Sequence, residues 1–230
     1  DRTSAIFYLT LGLTQGLANN HEQALATFQR AAAELTDWKD EDGKAVLYYF
    51  MGRSALLARR HDVAVTALEN ALDLNPDYVN ALSTLGAVYI DKAQLFFVRD
   101  RVLPPEIADC IPDSGYEYSS PTLEDAITDI ETGLAYLDQA VAQAPDTLTP
   151  PLKQMAQMTR AIGRNLRGQA AIFAGDMTTA QQSVSAAQED FDAVVEPFEE
   201  AGQPRYVAWT HLGNGAAHIL EGHLNVSAAV

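Results

Sequence analysis

The stretch 74–89, LNPDYVNALSTLGAVY, sets a proline between two apolar-periodic segments, with a Leu85-Gly86 pair nine residues beyond it. Pro76 has no N–H to donate and its ring clashes with the preceding turn, so one helix must end before it. A second helix is expected from about Asp77. The same punctuation recurs upstream: Met51-Gly52 lies 34 residues before Leu85-Gly86, and Leu11-Gly12 lies 40 before that. Twelve positions after Gly12 and Gly52 stand Ala24 and Ala64, followed by a large residue, Phe28 or Leu68, and then by Ala31 or Ala71. Small residues let two antiparallel helices approach closely while the large ones fill the space between them. The pattern therefore predicts a series of packed helical hairpins.

Composition agrees with helix over sheet. The 230 residues hold only ten prolines, and aromatic residues make up 8%. The net charge of −16 argues against nucleic-acid binding, which needs a basic footprint, and against a polybasic membrane patch. Cys110 is the sole cysteine, so neither an internal disulfide nor a thiolate metal site can be assembled. No apolar run approaches the roughly 18–20 residues that would span a membrane, and no signal-peptide pattern opens the chain. A soluble chain without membrane insertion is expected. Its start at Asp1, without methionine, suggests a fragment or a processed product; a cytoplasmic address is favoured and an extracytoplasmic one left open.

With its recurrent glycines and alanines, the chain resembles the tetratricopeptide repeat, a 34-residue helix-turn-helix unit. In the first unit, Tyr8, Leu11, Gly12, Ala24, Phe28 and Ala31 carry the resemblance; in the second, Tyr48, Gly52, Ala64, Leu68, Ala71 and Pro76 do. Leu82, Leu85, Gly86 and Tyr89 open a third unit, whose second-helix pattern reappears late at Gly133, Leu137, Ala140 and Pro145. A fourth unit carries Gly168, Ala171, Gly175, Ala180 and Ala187, and a fifth opens with Trp209, Leu212, Gly213 and Ala216 before the chain stops in its expected second helix. The resemblance implies an all-α, right-handed helical solenoid of about four to five units, at about 5–36, 45–78, 79–146, 150–195 and 204–230, the last truncated.

The third unit departs from a plain array through an insertion at about 91–130. Helix is expected from Tyr78 to about Arg101, stopped by Pro104-Pro105. A loop, ADCIPDSGYEYSSP, follows; then Ser120 as N-cap and Pro121 at the first helical position start a return helix to about Gln143. Together they form an expected long helical hairpin. On the helix expected at about 152–173, Lys153, Arg160, Arg164 and Arg167 form a stripe nearly opposite Met155, Ile162, Leu166 and Phe173. The stripe could select an acidic peptide or carboxylate, since arginine forks match carboxylates. Alternatively Glu124, Glu131 and Asp138, repeating every seven residues on the preceding helix, pair with it internally.

No catalytic constellation, P-loop, dinucleotide-binding glycine pattern or GxSxG occurs, and no cofactor or enzymatic activity is expected. His211, His218 and Glu221 fall on one helical face near His223, which admits a weak metal hypothesis; packing or surface roles account for them as well. His21 and His61, at equivalent turns, are expected to pack between helices, and EPFEEAGQP at 196–204 to be a solvated loop.

The resemblance implies a protein-binding scaffold that holds a peptide or helix of a partner protein in a concave groove lined by the first helices. By that register the groove residues are Ile6, Leu9 and Leu13 in the first unit and Val46, Tyr49 and Arg53 in the second, with Tyr49 and Arg53 as anchors. The subfamily that grips chaperone carboxylates has basic and asparagine side chains where this chain has Leu9, Leu13, Asn80 and Thr84, so that ligand is not expected. The alternatives are a sensor module of a larger signalling protein, taking a small ligand or short peptide between long helices, and a metal-dependent enzyme. A homodimer through the truncated last unit is a further expectation.

Overall fold

The computed structural model describes residues 2–97, 120, 122–146 and 151–228. Among these there are nine helices and no strand, an all-α helical repeat. The described residues up to Val88 form one compact unit and those from Tyr89 onward a second.

In the first unit, α1 (Arg2–Leu17) and α2 (His21–Glu34) form one hairpin, and α3 (Glu41–Leu57) and α4 (His61–Leu74) the next. Each closes on a glycine. A Cβ on Gly12 would meet the Phe28 ring at 2.4 Å, and one on Gly52 would meet Leu68 Cγ at 2.5 Å. In both hairpins the large residue lies sixteen positions after the glycine, and the flanking alanines Ala24, Ala31, Ala64 and Ala71 are fully buried. The turns match too: Asn19 and Arg59, seven residues after the glycines, both take a left-handed backbone at φ 63 and 61. The next residue closes a reverse-turn hydrogen bond in each case, Asn20 N to Gln15 O and Arg60 N to Ala55 O. Asp40 caps α3 by accepting from Gly43 N at 2.9 Å, with Glu41 and Asp42 in the first turn. Pro76 lies beyond the end of α4, and α5 (Val79–Phe97) starts after it.

The second unit contains the end of α5 followed by α6 (Leu123–Gln143), α7 (Leu152–Ala174), α8 (Met177–Glu200) and α9 (Pro204–Ala228). Its core joins Ile90, Phe96 and Phe97 of α5 to Ile130, Leu134 and Leu137 of α6 and Leu166 of α7. Phe191, Val194 and Phe198 of α8 extend it against Met158 and Ala161 of α7. The α7–α8 hairpin repeats the geometry of the first unit. Gly168 faces Val184, again sixteen residues on, at 3.0 Å from a built Cβ. Gly175, seven residues after Gly168, takes φ 78 and Asp176 N closes on Ala171 O.

Three expectations need correction. The 196–204 stretch is not a solvated loop, because α8 runs through Pro197 to Glu200. Pro197 forgoes one ladder hydrogen bond, but Phe198 is wholly buried and stacks on Tyr206 at 5.2 Å, which holds the last turn helical. Residues 204–228 form one continuous helix rather than a helix and the start of another, since Leu224 is buried with Ala217 against Val184 and Ala180 of α8. The cap of α6 is Thr122, whose side chain accepts from Asp125 N at 3.1 Å, while Ser120 Oγ instead donates to Asp129 at 2.6 Å. Pro104-Pro105, Cys110, Pro121 and the tip of the expected insertion lie outside the described residues.

Candidate functional site

Each unit carries a cleft between alternate helices. In the first, a cavity of about 190 Å³ is lined by Gly12, Leu13 and Leu17 of α1, Phe28 of α2, and Phe50, Arg53 and Leu57 of α3. Of the six expected groove residues here, Leu13 and Arg53 therefore come together. Ile6 is exposed, whereas Leu9 is half-buried against the Tyr8–Phe28 core. Val46 and Tyr49 are half-buried. Tyr49 packs against Phe50 at 4.9 Å and Tyr78 at 5.2 Å, and burial pushes its phenol above the usual range.

In the second unit the expected arginine stripe is engaged within the fold. Arg160 grips Asp190 through Nε at 2.8 Å and Nη2 at 2.6 Å, and reaches Asp138 through Nη1 at 2.8 Å. Arg164 Nη1 donates to the same Asp190 at 2.8 Å and to Ala186 O at 3.1 Å. Hydrogen bonding to Asp190 raises the Arg160 pKa further, so the guanidinium stays charged. Arg167 Nε lies 2.7 Å from Glu131 Oε1, close enough for an ion pair although its N–H is not aimed at the oxygen. Lys153 pairs with Asp146. The α6 carboxylates foreseen from their seven-residue spacing do meet the stripe at Glu131 and Asp138. Its most buried partner, Asp190 of α8, escaped sequence reasoning, because an aspartate spaced thirty residues away carries no periodic signal.

A different face of α7 borders a cleft of about 340 Å³. Ile162, Asn165, Leu166 and Gln169 of α7 form one wall, and Gln94 of α5 adds to it. The other wall is Trp209, Leu212, Gly213 and Ala216 of α9. None of these side chains is ionisable, in a chain of net charge −16. Trp209 and Leu212 are 47% and 73% exposed, large apolar surfaces held in water. The Arg205 guanidinium lies 4.6 Å over the indole and Tyr206 meets it edge-on, so the ring is oriented from its own helix. Asn165 is only 6% exposed, and its Nδ2 donates to Gly213 O at 3.1 Å. Because a carbonyl can only accept, this bond fixes the amide orientation and leaves Oδ1, which has no hydrogen-bond partner in the protein, as a buried acceptor.

Sequence reasoning placed Trp209, Leu212, Gly213 and Ala216 only as markers of a repeat. Asn165 went unnoticed. The available signal was a polar residue on the apolar stripe between Ile162 and Leu166.

The histidines do not assemble a metal centre: among the described residues no group of three metal-capable side chains comes together. His218 Nδ1 lies 3.3 Å from Glu221 Oε2, and Gln188 Nε2 bonds Glu221 at 3.0 Å; these hydrogen bonds, Gln188 first, hold the Glu221 carboxyl below its ordinary range. His61 is wholly buried at the start of α4, as His21 starts α2. No described helix is long and apolar enough to cross a membrane.

Residues 45–78 match the family model of the tetratricopeptide repeat. Among solved structures, a thermophilic TPR protein in Thermus thermophilus is 16% identical, with 98% of this chain and 97% of that chain covered and a TM-score of 0.49. The structure of MamA MSR-1 C2 is 12% identical over 95% of this chain and 97% of that chain, with a TM-score of 0.45. None of the curated proteins matches.

Proposed function

We propose that this chain, whose residues 45–78 match the tetratricopeptide repeat, is a non-enzymatic module that holds a segment of another protein, with the α5–α7–α9 cleft as its principal site. One observation carries this reading: Trp209 and Leu212 stand exposed on the wall of a concave, uncharged cleft. Exposed aromatic and aliphatic side chains beside a pocket supply the anchoring energy of interfaces. In the first unit, Leu13 and Arg53 offer a second, smaller contact. Ile6, Leu9, Val46 and Tyr49 belong to the proposed surface on the register of the repeat. The arginine stripe is spent on Asp190, Asp138 and Glu131, so an acidic ligand there would have to displace carboxylates already in place.

The test is selection of short peptides from a random displayed library on the folded chain, with affinities of the enriched peptides measured by calorimetry. Enriched peptides should lose at least tenfold in affinity on Trp209→Ala or Leu212→Glu, with melting temperature unchanged. No enrichment, or full affinity in both variants, would overturn the reading. Light scattering of the unliganded chain covers the competing occupant: a stable dimer that Leu212→Glu dissociates would assign the face to a second copy.

A further inference from the structure

The cavity between α1, α2 and α3 is kept open by a glycine that the fold itself does not use. Gly16 lines it from the last turn of α1, and nothing lies within 4 Å of a Cβ built there. Its φ is not positive, so an ordinary side chain would meet neither backbone strain nor a clash. Glycine in a helix is nonetheless unfavourable beside alanine or leucine. Gly12, Gly52 and Gly168 have a packing reason, since each admits a large side chain, Phe28, Leu68 or Val184. Four residues beyond Gly52 and Gly168 stand Leu56 and Ile172, but four beyond Gly12 stands Gly16. The missing side chain serves the cavity.

A second observation is electrostatic. Arg53 lines the same cavity from α3 and forms no ion pair among the described residues, in a chain with 31 acidic and 15 basic side chains. The group it acts on is the Tyr49 phenol, which is neutral. Arg160, Arg164 and Arg167, by contrast, are each engaged by carboxylates. No Asp or Glu lines the cavity, and its two ionisable side chains, Arg53 and His21, are both basic. Its walls are otherwise mostly apolar: Phe28 and Phe50 stack at 6.1 Å, and Leu17 and Leu57 line it while standing 90% and 47% exposed.

We propose that this cavity binds a small organic monocarboxylate with an aromatic or branched aliphatic body. The carboxylate pairs with the Arg53 guanidinium, and the apolar body occupies the space over Gly16 against Phe28 and Phe50. The volume of about 190 Å³ is below the roughly 300–1,000 Å³ of sites for drug-sized ligands, which favours a free small acid over a segment of a partner chain. All the residues lining this cavity lie in the first unit and all those lining the α5–α7–α9 cleft in the second, so the proposal stands apart from the cleft reading.

Calorimetry on the full chain, in about 0.15 M NaCl where charges beyond about 8 Å are screened, uses phenylpropionate and isocaproate as probes, each beside its uncharged amide. At least one acid should saturate a single site with a Kd of about 1 mM or below, in keeping with roughly ten non-hydrogen atoms. Its amide should bind at least tenfold more weakly. Arg53→Gln should weaken the acid at least tenfold and leave the amide unchanged, while Arg53→Lys keeps part of the preference. Gly16→Leu should abolish binding with the melting temperature level or raised, a combination that a purely structural glycine would not give. Saturable binding by neither acid, equal affinity of acid and amide, or full affinity in a folded Gly16→Leu would each overturn the proposal. Should Gly16→Leu fail to fold, Gly16→Ala and Arg53→Gln decide, and undiminished affinity in both overturns it. An acetylated glycyl-glycyl-phenylalanine with a free C-terminus represents the competing source: binding at least tenfold tighter than phenylpropionate would assign the cavity to the end of a partner chain and overturn the small-acid assignment. Trp209→Ala should leave the acids' affinity unchanged, so failure here and failure of the cleft reading are separable.

Discussion

Gly52 packs directly on Leu68: a Cβ at Gly52 would lie 2.5 Å from Leu68 Cγ and 3.1 Å from the Ala64 carbonyl oxygen. One partner is a branched side chain in a full core and the other is backbone, so neither can give way freely. Alanine normally stabilises a helix interior relative to glycine, yet here the added methyl should force α3 and α4 apart. Gly52→Ala is expected to lose about 1–3 kcal/mol, the scale of overpacking, in urea unfolding at neutral pH. Gly215, helical in α9 with nothing near its Cβ position, provides the opposite sign: Gly215→Ala should gain about 0.5–1 kcal/mol. Equal shifts at both positions would refute the packing role.

Gly175→Ala should be destabilising for a different reason. The backbone there has φ 78, and no atom lies near a built Cβ, so the cost is conformational alone, about 1 kcal/mol or slightly more. A melting temperature unchanged by Gly175→Ala would mean that the α7–α8 turn relaxes to another geometry.

Asp190 holds two guanidinium groups from a site 5% exposed. Removing it leaves Arg160 and Arg164 sharing the more exposed carboxylate of Asp138, with Arg164 still donating to Ala186 O. Asp190→Ala is expected to cost about 3 kcal/mol, at the low end for breaking a buried ion pair because Arg160 keeps part of its compensation. Unfolding by urea measures it, and a loss below about 1 kcal/mol would place the cluster among surface pairs.

Much of this architecture was legible in the sequence, and the particular residues say why. The glycine, the large residue sixteen positions on and the flanking alanines are all local to one hairpin, so Gly12–Phe28 and Gly52–Leu68 repeat at a fixed spacing. What failed depended on contacts between hairpins. Pro197 promised a break, but Phe198 buried against Tyr206 overrides it. The repeat register calls for the start of a second helix within 204–230, but Leu224 packing on α8 keeps α9 continuous. The cleft around Asn165 is assembled from α5, α7 and α9, and no spacing along the chain reports which faces three separate helices bring together.

Alkaline pH should destabilise the first unit through its tyrosine pair. Burial pushes the Tyr78 phenol up to about 12, and burial raises Tyr49 beside it as well. The folded state thus favours the neutral phenols. Their contribution is fully present below the ordinary tyrosine pKa of 10.0 and is lost as pH rises toward about 12. Denaturation midpoints between about pH 9 and 12 should fall steeply for the wild type and less steeply for Tyr78→Phe. Parallel curves would contradict the assignment.

The central claim is that the α5–α7–α9 cleft receives a partner segment, and amide and methyl chemical-shift mapping with the tightest selected peptide tests it most directly. The account predicts saturable shifts at Ile162, Asn165, Gln169, Leu212 and Ala216, together with a change in the Trp209 indole signal. Shifts confined to the Arg160–Asp190–Arg164 cluster, or absent from α7 and α9 while the peptide binds, would contradict it.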